Sequence, residues 1–170
     1  MARAGWPVAP HGVVGVDDAG DRLVVVYEDS VSTRGEGKVR LPYAAACASH
    51  PGALYSHYLG DEPGVSYRLL KIGVRTFALR YVSDDDWRSN CGPEGTIDLR
   101  VLPDGLVRTL PEPVWAVDAV RSGSALLAVD WNLAPGVQGT GVLPHLSGFS
   151  VVGELERFWR VTGVRFWEAD

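Results

Sequence analysis

The sequence of 170 residues has little cysteine, no excess of positive charge and no long apolar run. Its two cysteines, Cys47 and Cys91, are too few for a disulfide framework or a zinc site, so we expect free thiols. Acidic residues outnumber basic ones by 21 to 16, which argues against a nucleic-acid partner. No segment has the roughly 20 apolar residues of a membrane helix, and the N-terminus lacks the apolar core of a signal peptide. We therefore expect a cytoplasmic protein without a membrane partner.

Short strands separated by turns account for most of the chain. Apolar runs, either continuous or alternating, predict strands at Arg22–Tyr27, Lys38–Leu41, Ala53–Leu59, Ser66–Ile72, Arg75–Val82, Ile97–Leu102 and Leu106–Leu110. Two segments have helical character: the Ala-rich Tyr43–His50, and Phe149–Val161, whose apolar residues recur at helical spacing after the candidate N-cap Ser150. This mixture predicts the α+β class.

The chain is organised around Val114–Gly136, where two apolar runs flank the polar turn Arg121–Ser124. This pattern predicts a β-hairpin. Its arms carry residues that an apolar core does not normally contain: Asp118 on the first arm, and Asp130 and Asn132 on the second. Because side chains alternate along a strand, Asp130 and Asn132 share a face of the hairpin.

Asp118 joins that face if the hairpin pairs it with Ala128, a register that needs a loop of odd length or a bulge, and Gly123 suits either. Two carboxylates and an amide would then converge. Buried carboxylates without a partner are costly, so a bound cation would explain them, and hard oxygen ligands favour Mg²⁺ or Mn²⁺ over zinc. The alternative is that these residues only cap turns at strand ends.

A second candidate is the segment Glu28–Gly37, EDSVSTRGEG, between two predicted strands. The backbone N–H groups and hydroxyls of such a glycine-containing loop can close over phosphate groups. The alternative is an ordinary solvated turn, since a single G-x-G is a weak motif.

Asp118, eleven further residues and the run D-W-N-L-A-P-G resemble the metal-binding hairpin of the ATP-grasp ligases, with Asp130 where that family more often has Glu. The segment Leu54–Asn90 is similar to the hinge and catalytic sheet of the same family. It supplies Ser66-Tyr67-Arg68, Gly73, Arg80, the acidic run Asp84-Asp85-Asp86 and then Trp87-Arg88-Ser89-Asn90. The likeness is greatest to the branch of the ribosomal-protein glutamate ligases.

The resemblance implies two small, mainly antiparallel sheets with flanking helices and a nucleotide cleft between them, residues 1–59 forming a small lobe and residues 60–170 a catalytic-sheet lobe. It implies ATP and Mg²⁺ or Mn²⁺ as cofactors, with Asp118, Asp130 and Asn132 as metal ligands. The catalytic residues would be Arg68, Arg80, Arg88 and Asn90, and the nucleotide would contact Ser32, Thr33, Arg34, Gly35, Gly37, His57, Tyr58 and Leu59. The implied activity is ATP-dependent ligation of a small carboxylate or peptide to an amine through an acyl phosphate.

Beyond Asp130, the sequence departs from the family in three respects. Tyr27 stands near the position of the family's phosphate-binding lysine, and Lys38 or Arg34 is the candidate replacement. His57 stands where a glutamate is common. The family's N-terminal lobe is not recognisable, so we expect a partner protein or a second copy to replace it. The alternatives are a weakly active or inactive nucleotide-binding subunit of the same fold, and a binding module in which the hairpin acids are incidental.

Overall fold

The computed structural model describes residues 6–29, 36–59, 61–84, 86–89, 96–102, 112–133, 135 and 148–162. In chain order the elements are β1 (His11–Val13), β2 (Leu23–Tyr27), β3 (Lys38–Pro42), α1 (Tyr43–Ser49), β4 (Leu54–His57), β5 (Val65–Ile72), β6 (Arg75–Val82), β7 (Thr96–Leu102), β8 (Val114–Ser122), β9 (Ala125–Asn132) and α2 (Val151–Thr162). The predicted α+β class, with two mainly antiparallel sheets and flanking helices, is confirmed. None of the helices in these ranges is long and apolar enough to cross a membrane.

The first sheet has the strand order β1-β4-β2-β3, and each of its pairs is antiparallel. Alternation along the strands separates its two faces. Val24 and Val26 of β2 and Tyr55 of β4 are buried on one face, where they pack with Tyr43 and Ala46 of α1. This face is the core of the first sheet. α1 ends near the predicted place, one residue before His50.

The second sheet has the strand order β7-β6-β5-β8-β9. Leu70 and Ile72 of β5, Phe77 of β6, and Trp115 and Val117 of β8 are at most 1% exposed. Burying one such side chain contributes about 1.5–3 kcal/mol, so these residues dominate the stability of the sheet. The predicted strand Leu106–Leu110, which would pair with β7, lies outside the described residues.

The helix α2 packs on the second sheet, as predicted. Glu154 Oε1 of this helix forms a salt bridge with Arg75 Nε at 2.9 Å. The ring of Phe158 lies under the ammonium group of Lys71, with Nζ 5.1 Å from the ring centroid. Phe149, just before the helix, meets Phe77 edge to face. The predicted cap is also confirmed, because Gly153 N–H donates to Ser150 Oγ at 3.1 Å.

The chain divides into two compact units that interleave along the sequence. The first contains Met1–Ser66, Tyr81–Thr96 and Ala119–Val129. The second contains Tyr67–Arg80, Ile97–Asp118 and Asp130–Asp170. The division of the chain into lobes at residues 59 and 60 stays a prediction.

Gly73, in the turn between β5 and β6, has no room for a side chain. Its φ is +63°, and a Cβ there would lie 2.2 Å from the backbone oxygen of Glu154. Gly73→Ala should therefore cost about 2–4 kcal/mol, from the left-handed conformation and from displacement of α2.

The matched control for Gly73→Ala is Gly20→Ala, since Gly20 has φ +60° and no atom within 4 Å of a Cβ. This variant should cost only the conformational part, about 1 kcal/mol. Urea unfolding of both variants measures the difference. Equal losses would mean that α2 does not approach Gly73 closely.

Candidate functional site

A side-chain fork joins Arg68 of β5 to Asp118 of β8. Arg68 Nε donates to Asp118 Oδ1 at 2.5 Å, and Arg68 Nη2 donates to Asp118 Oδ2 at 2.7 Å. The two side chains are only 22% and 26% exposed. A charge-assisted, bidentate pair of this kind is strong and directional. The structure thus brings a predicted catalytic arginine into contact with a predicted metal ligand, although 50 positions separate them in the chain.

The backbone explains why Arg68 and Asp118 meet. Gly73 N–H, just after β5, donates to the carbonyl of Pro113, just before β8, at 2.8 Å. Five positions back along β5 is Arg68, and five positions forward along β8 is Asp118, as an antiparallel alignment requires. Arg68 shares its face of β5 with the buried Leu70, so the charged pair extends from an apolar sheet face.

The other two predicted metal ligands lie on β9 and are exposed. Asp130 Oδ1 accepts a hydrogen bond from its neighbour Trp131 N–H at 2.8 Å. The bounds of β8 and β9 leave a loop of two residues. The predicted register needed either a loop of odd length or a bulge, and this loop has an even length. Regular pairing from such a loop aligns Asp118 with Val129, so a common face for the three ligands requires the other route, a bulge.

The donor chemistry of the three residues suits a hard divalent cation, because carboxylate and amide oxygens are its preferred ligands. Both oxygens of Asp118 already accept hydrogen bonds from Arg68, but each keeps a further lone pair. In the ranges that the structure describes, no three or more His, Cys, Asp or Glu side chains are grouped to hold a metal. A site with two carboxylates and one amide therefore stays a prediction.

Of the remaining predicted catalytic residues, Arg80 is half-buried on β6 and Asn90 lies outside the described residues. Arg88 makes a fork with Asp86: Nη2 to Oδ2 at 2.7 Å and Nε to Oδ1 at 3.0 Å. The hydrogen bonds from the Arg88 side chain are the main reason that the pKa of Asp86 is lowered, and the charge of Arg40 lowers it further. Arg68 and Arg80 belong to one compact unit and Arg88 to the other.

The predicted phosphate loop is described only at its base. Glu28 N–H donates to the carbonyl of Gly37 at 2.8 Å, which closes the segment between β2 and β3, and Gly37 has φ +64°. The other predicted contacts of this loop, Ser32, Thr33, Arg34 and Gly35, lie outside the described residues. Their role stays a prediction.

The predicted hinge has its backbone donors already engaged. His57 N–H donates to the carbonyl of Pro10 and Tyr58 N–H to that of Leu23, at 2.8 and 2.9 Å. A purine ring could therefore form hydrogen bonds only with the carbonyl groups of this segment or with the backbone of Leu59. The side chains of His57 and Tyr58 lie on opposite faces of the first sheet, because they are neighbours along an extended chain. The His57 ring stacks on Tyr55 of the core face.

Burial is the main reason that the pKa of His57 is lowered, and the nearby charge of Arg22 lowers it further. Arg22 Nη1 lies 3.4 Å from His57 Nδ1. Because a guanidinium can only donate, Nδ1 is the accepting nitrogen. This histidine is thus a neutral, packed residue rather than a charged ligand group.

The structure also assembles a cation–aromatic cluster that was not predicted from the sequence. The guanidinium of Arg40 lies 4.7 Å from the ring centroid of Tyr58 and 5.4 Å from that of Trp87. The two rings meet edge to face at 5.8 Å, and the Arg88 guanidinium lies 5.7 Å from the Trp87 ring. Contacts of this kind contribute about 0.5–1 kcal/mol each when exposed.

The signal for this cluster was present in β3. Val39 and Leu41 alternate with Lys38 and Arg40, and the two apolar residues pack against the core. Lys38 and Arg40 therefore belong to the other face of the first sheet, together with Tyr27. We call Tyr27, Lys38, Arg40, Ser56 and Tyr58 the cationic face. Lys38 Nζ lies 5.3 Å from the Tyr27 ring centroid, and the Tyr27 hydroxyl is 3.3 Å from Ser56 Oγ.

Comparison with known proteins gives no family for this chain: no family model and no curated protein matches it. Among solved structures, it is similar to the macrocyclase MdnC bound with precursor peptide MdnA, from Microcystis aeruginosa MRC. The two share 10% identity with a TM-score of 0.49, over 96% of this chain and 59% of that one. This chain thus spans about 59% of the length of MdnC. The likeness assigns no activity, substrate or partner.

A double-mutant cycle tests the fork between Arg68 and Asp118. Arg68→Gln should lower the free energy of unfolding by about 1.5–3 kcal/mol, because it leaves a half-buried carboxylate without its partner. Adding Asp118→Asn should recover part of that loss, since the residual charge is removed. The matched control is Arg121→Gln, which removes a more exposed arginine 3.3 Å from Glu62 and should cost less than about 1 kcal/mol. Strictly additive losses would contradict the coupling.

The fork between Arg88 and Asp86 predicts an acid-dependent contribution to stability. Because the folded-state pKa of Asp86 lies below the ordinary 3.8, its contribution is present above pH 3.8 and is lost as the pH falls through the folded value. Arg88→Gln should therefore destabilise the protein at neutral pH and much less in strong acid. Urea unfolding across this range measures the difference, with the exposed Arg157→Gln as control. A loss that is independent of pH would contradict the assignment.

Proposed function

We propose that this chain is an ATP-grasp-type module that binds ATP with Mg²⁺ or Mn²⁺ and ligates a small carboxylate or peptide to an amine. The proposal rests on the hairpin motif with Asp118, Asp130 and Asn132, on the Trp87–Asn90 motif, and on the two antiparallel sheets.

The observation that supports the proposal most is the fork between Arg68 and Asp118. Arg68 is predicted to bind phosphate and Asp118 to bind a cation, and they come from segments far apart in sequence. Their guanidinium and carboxylate groups are joined by hydrogen bonds of 2.5 and 2.7 Å. A nucleoside triphosphate with its cation needs both kinds of group, positive charge for the phosphate oxygens and carboxylate for the cation.

Each group of residues has a part in this proposal. Asp118, Asp130 and Asn132 would hold the divalent cation. Arg68, Arg80, Arg88 and Asn90 would bind phosphate oxygens, for which planar guanidinium groups are well matched. When bound, ATP and its cation would supply the phosphoryl group that activates the carboxylate.

Lys38 is our candidate for the missing phosphate-binding cation. It pairs with Tyr27 across the hairpin of β2 and β3, so its ammonium group lies beside the residue that replaces the family's lysine. Arg40 adds a second positive charge two residues along the same face. The cationic face therefore offers positive charge next to Tyr58, a predicted adenine contact.

Thermal unfolding with ATP and MgCl₂, added separately and together, tests the proposal. At a concentration 100-fold above the dissociation constant, a ligand of the folded state stabilises it by about 2.7 kcal/mol. Mg²⁺ and ATP together should stabilise the chain more than the sum of the two alone. Asp130→Asn should remove most of this synergy and leave the unliganded protein as stable as before.

The control for Asp130→Asn is Asp21→Asn, which makes the same change at an exposed aspartate of the first unit and should keep the synergy. Full synergy in Asp130→Asn would refute the metal site. Release of ADP with carboxylate and amine substrates then separates a ligase from a nucleotide-binding subunit, because the latter would show the shift without turnover.

A further inference from the structure

Three side chains form a hydrogen-bonded chain outside the candidate site. Ser49 Oγ lies 2.6 Å from His50 Nδ1, and His50 Nε2 lies 2.8 Å from Glu28 Oε1. Glu28 directly follows β2, whereas Ser49 is the last residue of α1, so the fold brings the ends of two elements together. A hydroxyl, an imidazole and a carboxylate in this order are the components of an activated nucleophile.

The acceptors decide where the hydrogens lie. An ionised carboxylate can only accept, so His50 Nε2 carries the hydrogen that Glu28 receives. In the neutral imidazole, Nδ1 is then an acceptor facing the Ser49 hydroxyl. That hydroxyl has a second acceptor, the carbonyl of Ala45 at 2.8 Å, but only one hydrogen to donate. Its hydrogen can therefore pass to Nδ1 without any movement of the three residues.

The position of the three residues is fixed by the backbone and is open to solvent. His50 N–H donates to the carbonyl of Ala46 at 2.8 Å, and Glu28 N–H donates to that of Gly37. Ser49 is exposed, and the side chains of His50 and Glu28 are 24% and 42% exposed. A reagent in solution can thus reach Ser49 Oγ directly.

We propose that Ser49 is a nucleophile that accepts an acyl group from an activated carboxylic ester, with His50 as its general base and Glu28 as the residue that positions the imidazole. Ser49 Oγ attacks the carbonyl carbon and forms the new C–O bond, while its hydrogen passes to His50 Nδ1. The bond to the leaving group breaks, the leaving group keeps the electron pair, and the imidazolium returns the proton to it or to water. The product is an ester of Ser49.

The surroundings of Ser49 favour a single acylation over turnover. The nearby N–H groups of His50, Gly52 and Ala53 all donate to backbone carbonyls. They cannot also stabilise the oxyanion that forms during attack, a contribution that is often the largest in acyl transfer. Hydrolysis of the acyl-serine must pass through a second oxyanion, so the ester should accumulate.

Incubation with p-nitrophenyl acetate tests the inference, with acetylation located by peptide mass spectrometry. We expect one acetyl group at Ser49, formed faster than at the exposed Ser150. His50→Gln should slow acetylation of Ser49 by at least about tenfold, because general base catalysis is lost. The control is His11→Gln, which removes an exposed histidine bonded only locally, to the carbonyl of Ala9 at 3.0 Å, and should leave the rate unchanged.

Glu28→Gln separates a positioning role from a structural one. It should slow acetylation of Ser49 several-fold, and the conservative Glu28→Asp should recover part of that rate, while the urea unfolding midpoint stays unchanged in both variants. Acetylation of Ser49 at the same rate in His50→Gln, or acetylation of His50 in place of Ser49, would overturn the inference. Both results are independent of whether the chain binds ATP.

Discussion

The backbone of Gly73 brings three parts of the fold together: the turn between β5 and β6, the start of β8, and α2. It turns the chain from β5 into β6 with a positive φ, it donates its N–H to Pro113 at the start of β8, and it lies against the backbone of Glu154 in α2. A side chain at this position would be incompatible with the positive φ and with the close approach of α2. Because the bond to Pro113 sets how β8 lies along β5, it also sets which residue faces Arg68, and the candidate site depends on that alignment.

The second sheet holds charged groups within apolar surroundings, and it does so by pairing them. Arg68 and Asp118 satisfy each other's charge and geometry through two hydrogen bonds. Lys71, only 3% exposed, has its pKa lowered by burial, and the carboxylate of Glu112 and the ring of Phe158 compensate part of that cost. A desolvated charge is costly unless a partner compensates it. The fork of Arg68 with Asp118 and the buried Lys71 therefore limit which substitutions the sheet accepts.

The two faces of the first sheet differ in character, since one is apolar and the other carries positive charge. One face, with Val24 and Val26, makes the core with α1. The other carries Lys38 and Arg40 among aromatic rings, where positive charge stays near the surface and does not need to be buried. The helix α1 packs against the apolar face and completes the core of this sheet.

Local patterns in the sequence determined the elements of this protein. Alternation predicted β5 and β6 nearly to the residue, two apolar runs around a polar turn predicted the hairpin of β8 and β9, and Ser150 predicted the start of α2, because these patterns depend only on neighbouring residues. They also determined that Asp130 and Asn132 share a strand. Only the tertiary structure decided that Arg68 faces Asp118, that Arg40 lies on Tyr58 and Trp87, and that Glu28 reaches His50. These contacts depend on which strands are neighbours and in what register, which is set by packing across the whole chain rather than by any local run of residues.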